Sequence, residues 1–241
     1  MILSHLSILI STFSLSQSQE EKAFSRLLSA CVTTDGLVDY RSLQEQRELL
    51  DDYFFYLENN QLRLTADSAS AKSYWINYYN TSTLRIVLSR YPLKSMRDIP
   101  TASLGYETIW EVPLHKINGR TYSLNQVERE LLIDRFQDPR IHFALVCGAQ
   151  SCPPLRRELY DPGKLDEQLD DQARIFLSNP KWNQITGTTI TLSPIFKWYR
   201  ADFLMSGQPL HKVLSSYTGR PFKSAVFEYS EYDWRLNAAG E

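Results

Sequence analysis

The residue types best suited to chemistry in this sequence are two cysteines in the stretch IHFALVCGAQSCPPLR, residues 141–156. A cysteine can serve as a nucleophile, a metal ligand or half of a disulfide, and the first role needs a base within reach or a lowered pKa. Cys147 ends an apolar run beside Gly148, where backbone can turn closely, and Cys152 sits in the following loop, pinned by Pro153 and Pro154. Read as a buried strand from Arg140 to Cys147, the run alternates, with His142, Ala144 and Val146 on one face and Phe143, Leu145 and Cys147 on the other. His142 and Cys147 then do not face each other while the strand stays regular. No second Cys/His pair completes four ligands for a structural zinc, so neither a metal nor a cofactor is expected. A Cys147–Cys152 disulfide is sterically possible, and Cys31, on the apolar face of a helix, reads as a buried hydrophobe. Of the histidines, His5, His115, His142 and His211, only His142 shares a motif with a cysteine.

A second group lies in YWINYYNTSTLRIVL, residues 74–88, where Asn77, Asn80 and Thr81 fall at i, i+3 and i+4 and Leu84 and Leu88 continue the same face. Two amides and a hydroxyl leading into an apolar stripe, ringed by Trp75, Tyr78 and Tyr79, must find partners. They either tie down a neighbouring loop backbone, as buried amides mostly do, or line a cleft and orient a reacting group. The aromatic segment LSPIFKWYRADF, residues 192–203, reads as core-closing mass in which Lys197 pairs with an acid. Glu128 and Glu130 read as a helix-face charge pattern.

These residues must be positioned by a mixture of helices and short strands. Phe24, Leu27, Leu28 and Cys31 recur at helical spacing from Glu20, and a turn at Asp35-Gly36 leads into a short extended piece, Leu37 to Tyr40. Further helices are expected at about 42–59, 69–90 (ended by Tyr91-Pro92) and 123–135, with Ser123 as cap. Another should start at Asp161-Pro162 and run to about Ser178, and a last one covers about 210–217. Asn118-Gly119 between two short extended runs marks a two-residue hairpin. Strands are also expected at 186–192 and 225–229. No repeat, linker or composition break divides the chain. The expected fold is a helix-rich α+β single domain, residues 20–241, around a small, mostly antiparallel sheet.

Composition narrows the function classes. The 241 residues are 43% hydrophobic and 22% charged, as in ordinary soluble globules, and 26 basic against 28 acidic residues give a net charge of −2. That balance argues against nucleic acid as a partner. Residues 1–19 carry no charged side chain and hold nine apolar residues and six serines. They are too diluted for a transmembrane segment and read as a signal peptide or N-terminal appendage, which makes export to the periplasm or outside the cell the expectation and the cytoplasm the alternative.

Together WINYYN, RIHFALVCGAQSCPPLR, LDEQLDDQARIFL, IFKWYRADF and the terminal YDWRLN resemble the family called domain of unknown function 547, in the family's order, from about Phe24 to Asn237. Bacterial members are often exported, and animal and plant members are fused to other modules, some thioredoxin-like. The resemblance implies fold boundaries more than an activity. It maps the family's asparagine helix onto Asn77 and Asn80 and its strand-end cysteine onto Cys147. One departure is that the family's isoleucine-glutamate-histidine reads Val127-Glu128-Arg129 here. If that histidine is a base for Cys147, this chain lacks it, and an arginine, always protonated, instead offers a fork for a substrate carboxylate.

The site is therefore expected in a cleft between the asparagine helix and the cysteine loop. As a thiol-dependent hydrolase or transferase, Cys147 attacks a carbonyl beside Cys152, Asn77 or Asn80 stabilises the oxyanion, and His142 handles protons. As a non-catalytic domain, the same cleft binds a peptide, glycan, small molecule or partner protein. Trp75, Tyr78, Thr81, Glu128 and Arg129 are the expected ligand contacts in either case. A redox role for the cysteine pair is the third reading, disfavoured by a spacing that departs from C-x-x-C.

Overall fold

In a computed structural model of the chain, which describes residues 17–60, 68–117, 119–186, 189–219, 221–222 and 226–240, Ser18 opens the first helix with a reciprocal capping box to Glu21. Residues 1–16, which carry most of the export reading, and Asn118 lie outside the described residues. Helix α1 (Gln19–Cys31) buries Phe24, Leu27, Leu28 and Cys31, as its spacing demands. It packs on α3 (Arg47–Asn59), with the Phe24 and Tyr53 rings stacked 4.6 Å apart. The expected 42–59 helix is two. Asp39 caps a short α2 (Tyr40–Glu45) through the Ser42 amide, and the chain leaves helical geometry at Gln46 before α3 begins. Val38 makes only isolated bridges, to Val32 and Ala238, so the 37–40 piece forms no strand of its own.

Helix α4 (Ser68–Leu88) is the central post. Its middle turns are buried on every side, which is why its apolar residues form no single stripe. Three short 3-10 turns follow and lead to the hairpin β1 (His115–Ile117) and β2 (Arg120–Tyr122), paired Ile117 to Arg120 with Gly119 at φ 81°. Ser123 then caps a continuous helical run: α5 (Leu124–Gln126), a π-helical stretch (Val127–Ile133) and α6 (Asp134–Phe136).

The stretch expected to be the best buried strand is not a strand. Residues Ile141–Ala144 form one helical turn, α7, followed by extended chain without a strand partner. The turn divides its side chains differently from a strand. Ile141 and Ala144 enter one hydrophobic cluster, Phe143 enters another, and His142 points between them. Asp161-Pro162 makes a turn rather than a helix start: the Asp161 side chain accepts the Gly163 amide, and α8 (Leu165–Ser178) begins three residues later.

Beyond α8, β3 (Gln184–Thr186) and β4 (Thr189–Leu192) pair antiparallel, and β5 (Val226–Tyr229) joins β4 in parallel. Two short helices, α9 (Ile195–Trp198) and α10 (Arg200–Phe203), and then α11 (Leu210–Thr218), complete this part. The architecture is helix-rich α+β, with two small sheets where one was expected. Among the described residues, no helix is long and apolar enough to cross a membrane.

One cluster gathers α1–α4, the hairpin and α5, and the other gathers Phe143, the far end of α8 and the aromatics of α9 and α10. Tyr232 packs against both. The C-terminal segment is bound back into the first cluster: Tyr40 donates to Asn237 Oδ1 at 2.7 Å, and Leu236 and Asn237 donate their amides to Lys94 and Gly148. Gly36, at φ 77°, lets the first loop touch the cysteine loop, since a β-carbon there would sit 2.6 Å from Pro154 Cα.

Candidate active site

At the seam between the two clusters is a cavity of about 300 Å³, and Cys147 and Cys152 both lie on its wall. Their loop turns at Gly148, whose φ of 83° is glycine's region. The turn brings the Cys152 Sγ to 2.8 Å from the Cys147 amide, which donates to it. Both are free thiols. Cys147 is half-buried and Cys152 fully buried. The Tyr232 hydroxyl stands 3.3 Å from the Cys147 Sγ.

The two thiols are electrostatically unequal. The Cys152 thiol beside it lowers the Cys147 pKa; burial opposes this, and the Tyr232 hydroxyl and the Ala149 amide lower it further, leaving the net shift downward despite the Glu128 carboxylate. Cys152 is pushed well up, first by burial and then by the neighbouring Cys147. Of the two thiols, Cys147 is therefore the one that gives up its proton more readily.

Glu128 also lines the cavity, with its side chain only 14% exposed. It is not the solvated helix-face charge expected, whereas Glu130, on the same π-helical stretch, does face out and pairs with Arg120. The His142 Nδ1 lies 3.5 Å from Glu128 Oε1 and its Nε2 lies 3.0 Å from Asp202 Oδ2. The imidazole is stacked on Tyr199 at 4.0 Å, and the Tyr199 hydroxyl bonds Glu128. Burial alone would depress His142, but the two carboxylates raise its pKa above the ordinary 6.5. Asp202 is held low by His142 and, from the far side, by Arg129, which approaches it at 3.0 and 3.1 Å. Both ring nitrogens of His142 are thus engaged, and any effect it has on a substrate passes through Glu128.

Several expected site residues stand elsewhere. Asn80 donates to the Ala144 carbonyl and accepts from the Val146 amide, each at 2.9 Å. Asn77 makes the same pair of bonds with the Tyr160 carbonyl and amide, at 2.8 and 3.0 Å. Each amide is tied to backbone by one donated and one accepted bond, and neither lines the cavity, so neither is placed there as an oxyanion donor. Thr81 bonds back to the Asn77 carbonyl, and Trp75 and Tyr78 lie in the core at 1% and 0% exposure. Arg129 faces Asp202 and Asp134 rather than the cavity, so its fork is taken by protein carboxylates. Lys197 is exposed, and the acid of its segment, Asp202, serves His142 instead.

The sequence reading missed Trp110, Trp198, Tyr199, Tyr232 and Trp234, which form the aromatic wall of the cavity, and Asp202 behind His142. The only available signal was the density of aromatics in IFKWYRADF and YDWRLN around isolated acids. Among the described residues no group of three or more Cys, His, Asp or Glu is arranged to hold a metal ion.

The molecule is thus a helix-rich α+β protein in which a thiol pair, Glu128 and His142 line one cavity, with Asp202 behind the imidazole. Residues 64–177, a little under half of the chain, match the sequence model of the family described as "Protein of unknown function, DUF547". The matched segment contains Glu128, His142, Cys147 and Cys152, while Asp202, Tyr232 and Trp234 lie beyond it. No curated protein and no solved structure matches the chain.

Proposed function

We propose that the protein is a thiol-dependent acyl hydrolase or transferase with Cys147 as nucleophile. The observation that carries this reading is the downward-shifted Cys147 thiol on the wall of a cavity that Glu128 also faces. The Cys147 proton passes to Glu128 as the sulfur lone pair forms a bond to a carbonyl carbon and the C=O π pair moves onto the oxygen, to return as the leaving group departs. The bond from that carbon to the leaving oxygen or nitrogen then breaks, and the leaving group takes the proton. Water, or an acceptor amine or alcohol, gives its own proton to Glu128 as it attacks the thioester. That proton returns to the departing sulfur, and the thiol is restored. His142 is a positioning residue that holds Glu128, with Asp202 and Arg129 behind it. Asn77 and Asn80 act by shaping the backbone rather than by touching the substrate.

Iodoacetamide with peptide mapping, together with turnover of activated acyl esters, tests this reading. Cys147 should be alkylated in the native protein at neutral pH, and Cys147→Ser should abolish turnover. Glu128→Gln should slow turnover yet speed alkylation, because the Glu128 charge raises the thiol pKa. If neither cysteine is alkylated in the folded protein, the reading fails. The alternative, a non-catalytic binding domain, draws on the same aromatic-walled cavity and predicts that Cys147→Ser retains ligand.

A further inference from the structure

The charged side chains on the cavity wall are of one kind. Apart from His142, already bonded to Glu128, they are the carboxylates of Glu111 and Glu128, and among the described residues no lysine or arginine lines it. The rest of the wall is largely aromatic. Trp198 and Tyr232 lie 4.8 Å apart, Tyr232 and Trp234 4.6 Å, and Trp110 and Trp234 6.0 Å, centroid to centroid. Trp198 is half exposed, so part of its ring is open to a ligand entering the cavity. An electron-rich wall with two carboxylates attracts a cation by ring quadrupole and charge together. It repels an anion. The protein already shows the preference: the Arg97 guanidinium, which does not line this cavity, sits 5.1 Å from the centre of the Trp234 ring.

Size limits the ligand. About 300 Å³ is at the small end of the ~300–1,000 Å³ range of ligand pockets, room for an aminoacyl group or the end of a lysine-like chain rather than a peptide strand. We propose that the Cys147 cavity recognises a substrate carrying an ammonium group, held between the Trp198–Tyr232–Trp234 rings and the Glu111 and Glu128 carboxylates. This rests on the reading of the cavity as a thiol acyl-transfer site for the identity of the reacting group, though not for the recognition itself.

Two measurements separate the two ideas. In the first, Cys147→Ser protein is titrated with n-butylammonium or with butyrate at constant ionic strength, and tryptophan emission is followed, since Trp110, Trp198 and Trp234 all face the cavity. Saturable change with the ammonium and none with butyrate, weakened at least tenfold by Glu111→Gln combined with Trp198→Ala, is the expected result. In the second, wild-type protein is given p-nitrophenyl esters of 6-aminohexanoate, hexanoate and adipate, with rates normalised to spontaneous hydrolysis. A preference of at least tenfold in kcat/KM for the ammonium ester is expected. Ammonium binding without Cys147-dependent turnover supports recognition and overturns the thiol chemistry. Turnover that depends on Cys147 but ignores charge, or butyrate binding as well as butylammonium, overturns recognition and leaves the thiol chemistry standing.

Discussion

Replacing Asn80 by alanine tests whether this side chain belongs to the reaction or to the scaffold. Its amide donates to the Ala144 carbonyl and accepts from the Val146 amide at 2.9 Å, in a region where Ala144 and Val146 are 1% and 3% exposed. Removing it leaves one buried acceptor and one buried donor without partners, each costing about 1–3 kcal/mol, so the loss should be about 4 kcal/mol. With a urea dependence of about 3 kcal/mol per molar, the unfolding midpoint should fall by roughly 1 M. Because Val146 precedes Cys147, the alkylation rate of Cys147 in the folded protein should change too. Asn77→Ala is the control. It removes the same pair of bonds from Tyr160, should lose a similar amount of stability, and should leave Cys147 alkylation as it was. A loss below about 1 kcal/mol for Asn80→Ala, with acyl turnover nonetheless abolished, would refute this reasoning and return Asn80 to the chemistry.

Three further outcomes are expected. Tyr232→Phe removes a hydroxyl that favours the Cys147 thiolate, so the pH at which iodoacetamide alkylation rises should move up; an unmoved profile would exclude the Tyr232 contact from thiol activation. His115, buried against Tyr78 and Phe54, has its pKa lowered by burial to about 4 from 6.5. A depressed imidazole contributes stability that is present above pH 6.5 and lost as pH falls through 4, about 3 kcal/mol in all. Denaturant midpoints across that window should show wild type losing this amount and His115→Phe sparing it, and a pH-independent difference between the two would contradict it. Mild oxidation with diamide should take two electrons and two protons from the contacting thiols to close a Cys147–Cys152 bond. The product should be two hydrogens lighter and resist alkylation at Cys147, and the same change in Cys152→Ala would rule the pair out.

Local pattern was enough for the elements that repeat locally. The three- and four-residue spacing in α1 and α8 and the turn chemistry of the hairpin at Gly119 are properties of a few consecutive residues, and the structure keeps them. The cysteine pair was legible for the same reason, since five positions and a glycine suffice to fold Cys152 back on Cys147. RIHFALVC was misread because a short apolar run has no period that separates a strand from a buried turn. What decided it was Asn80, sixty-six residues before Val146, whose amide supplies the donor and acceptor that a neighbouring strand would have supplied. That choice turned His142 out of strand alternation and into the cavity.

The sequence by itself determined the helix-rich α+β class, the near-neutral charge and a nucleophile candidate at Cys147, because these depend on composition and on contacts within one turn or loop. The tertiary structure alone decided that Glu128 faces inward, that His142 is clamped between Glu128 and Asp202, and that Trp110, Trp198, Tyr232 and Trp234 enclose the thiol. Those partners come from segments up to 124 residues apart, from Trp110 to Trp234, and which carboxylate meets which imidazole follows from how two hydrophobic clusters close on each other. No local spacing encodes that closure.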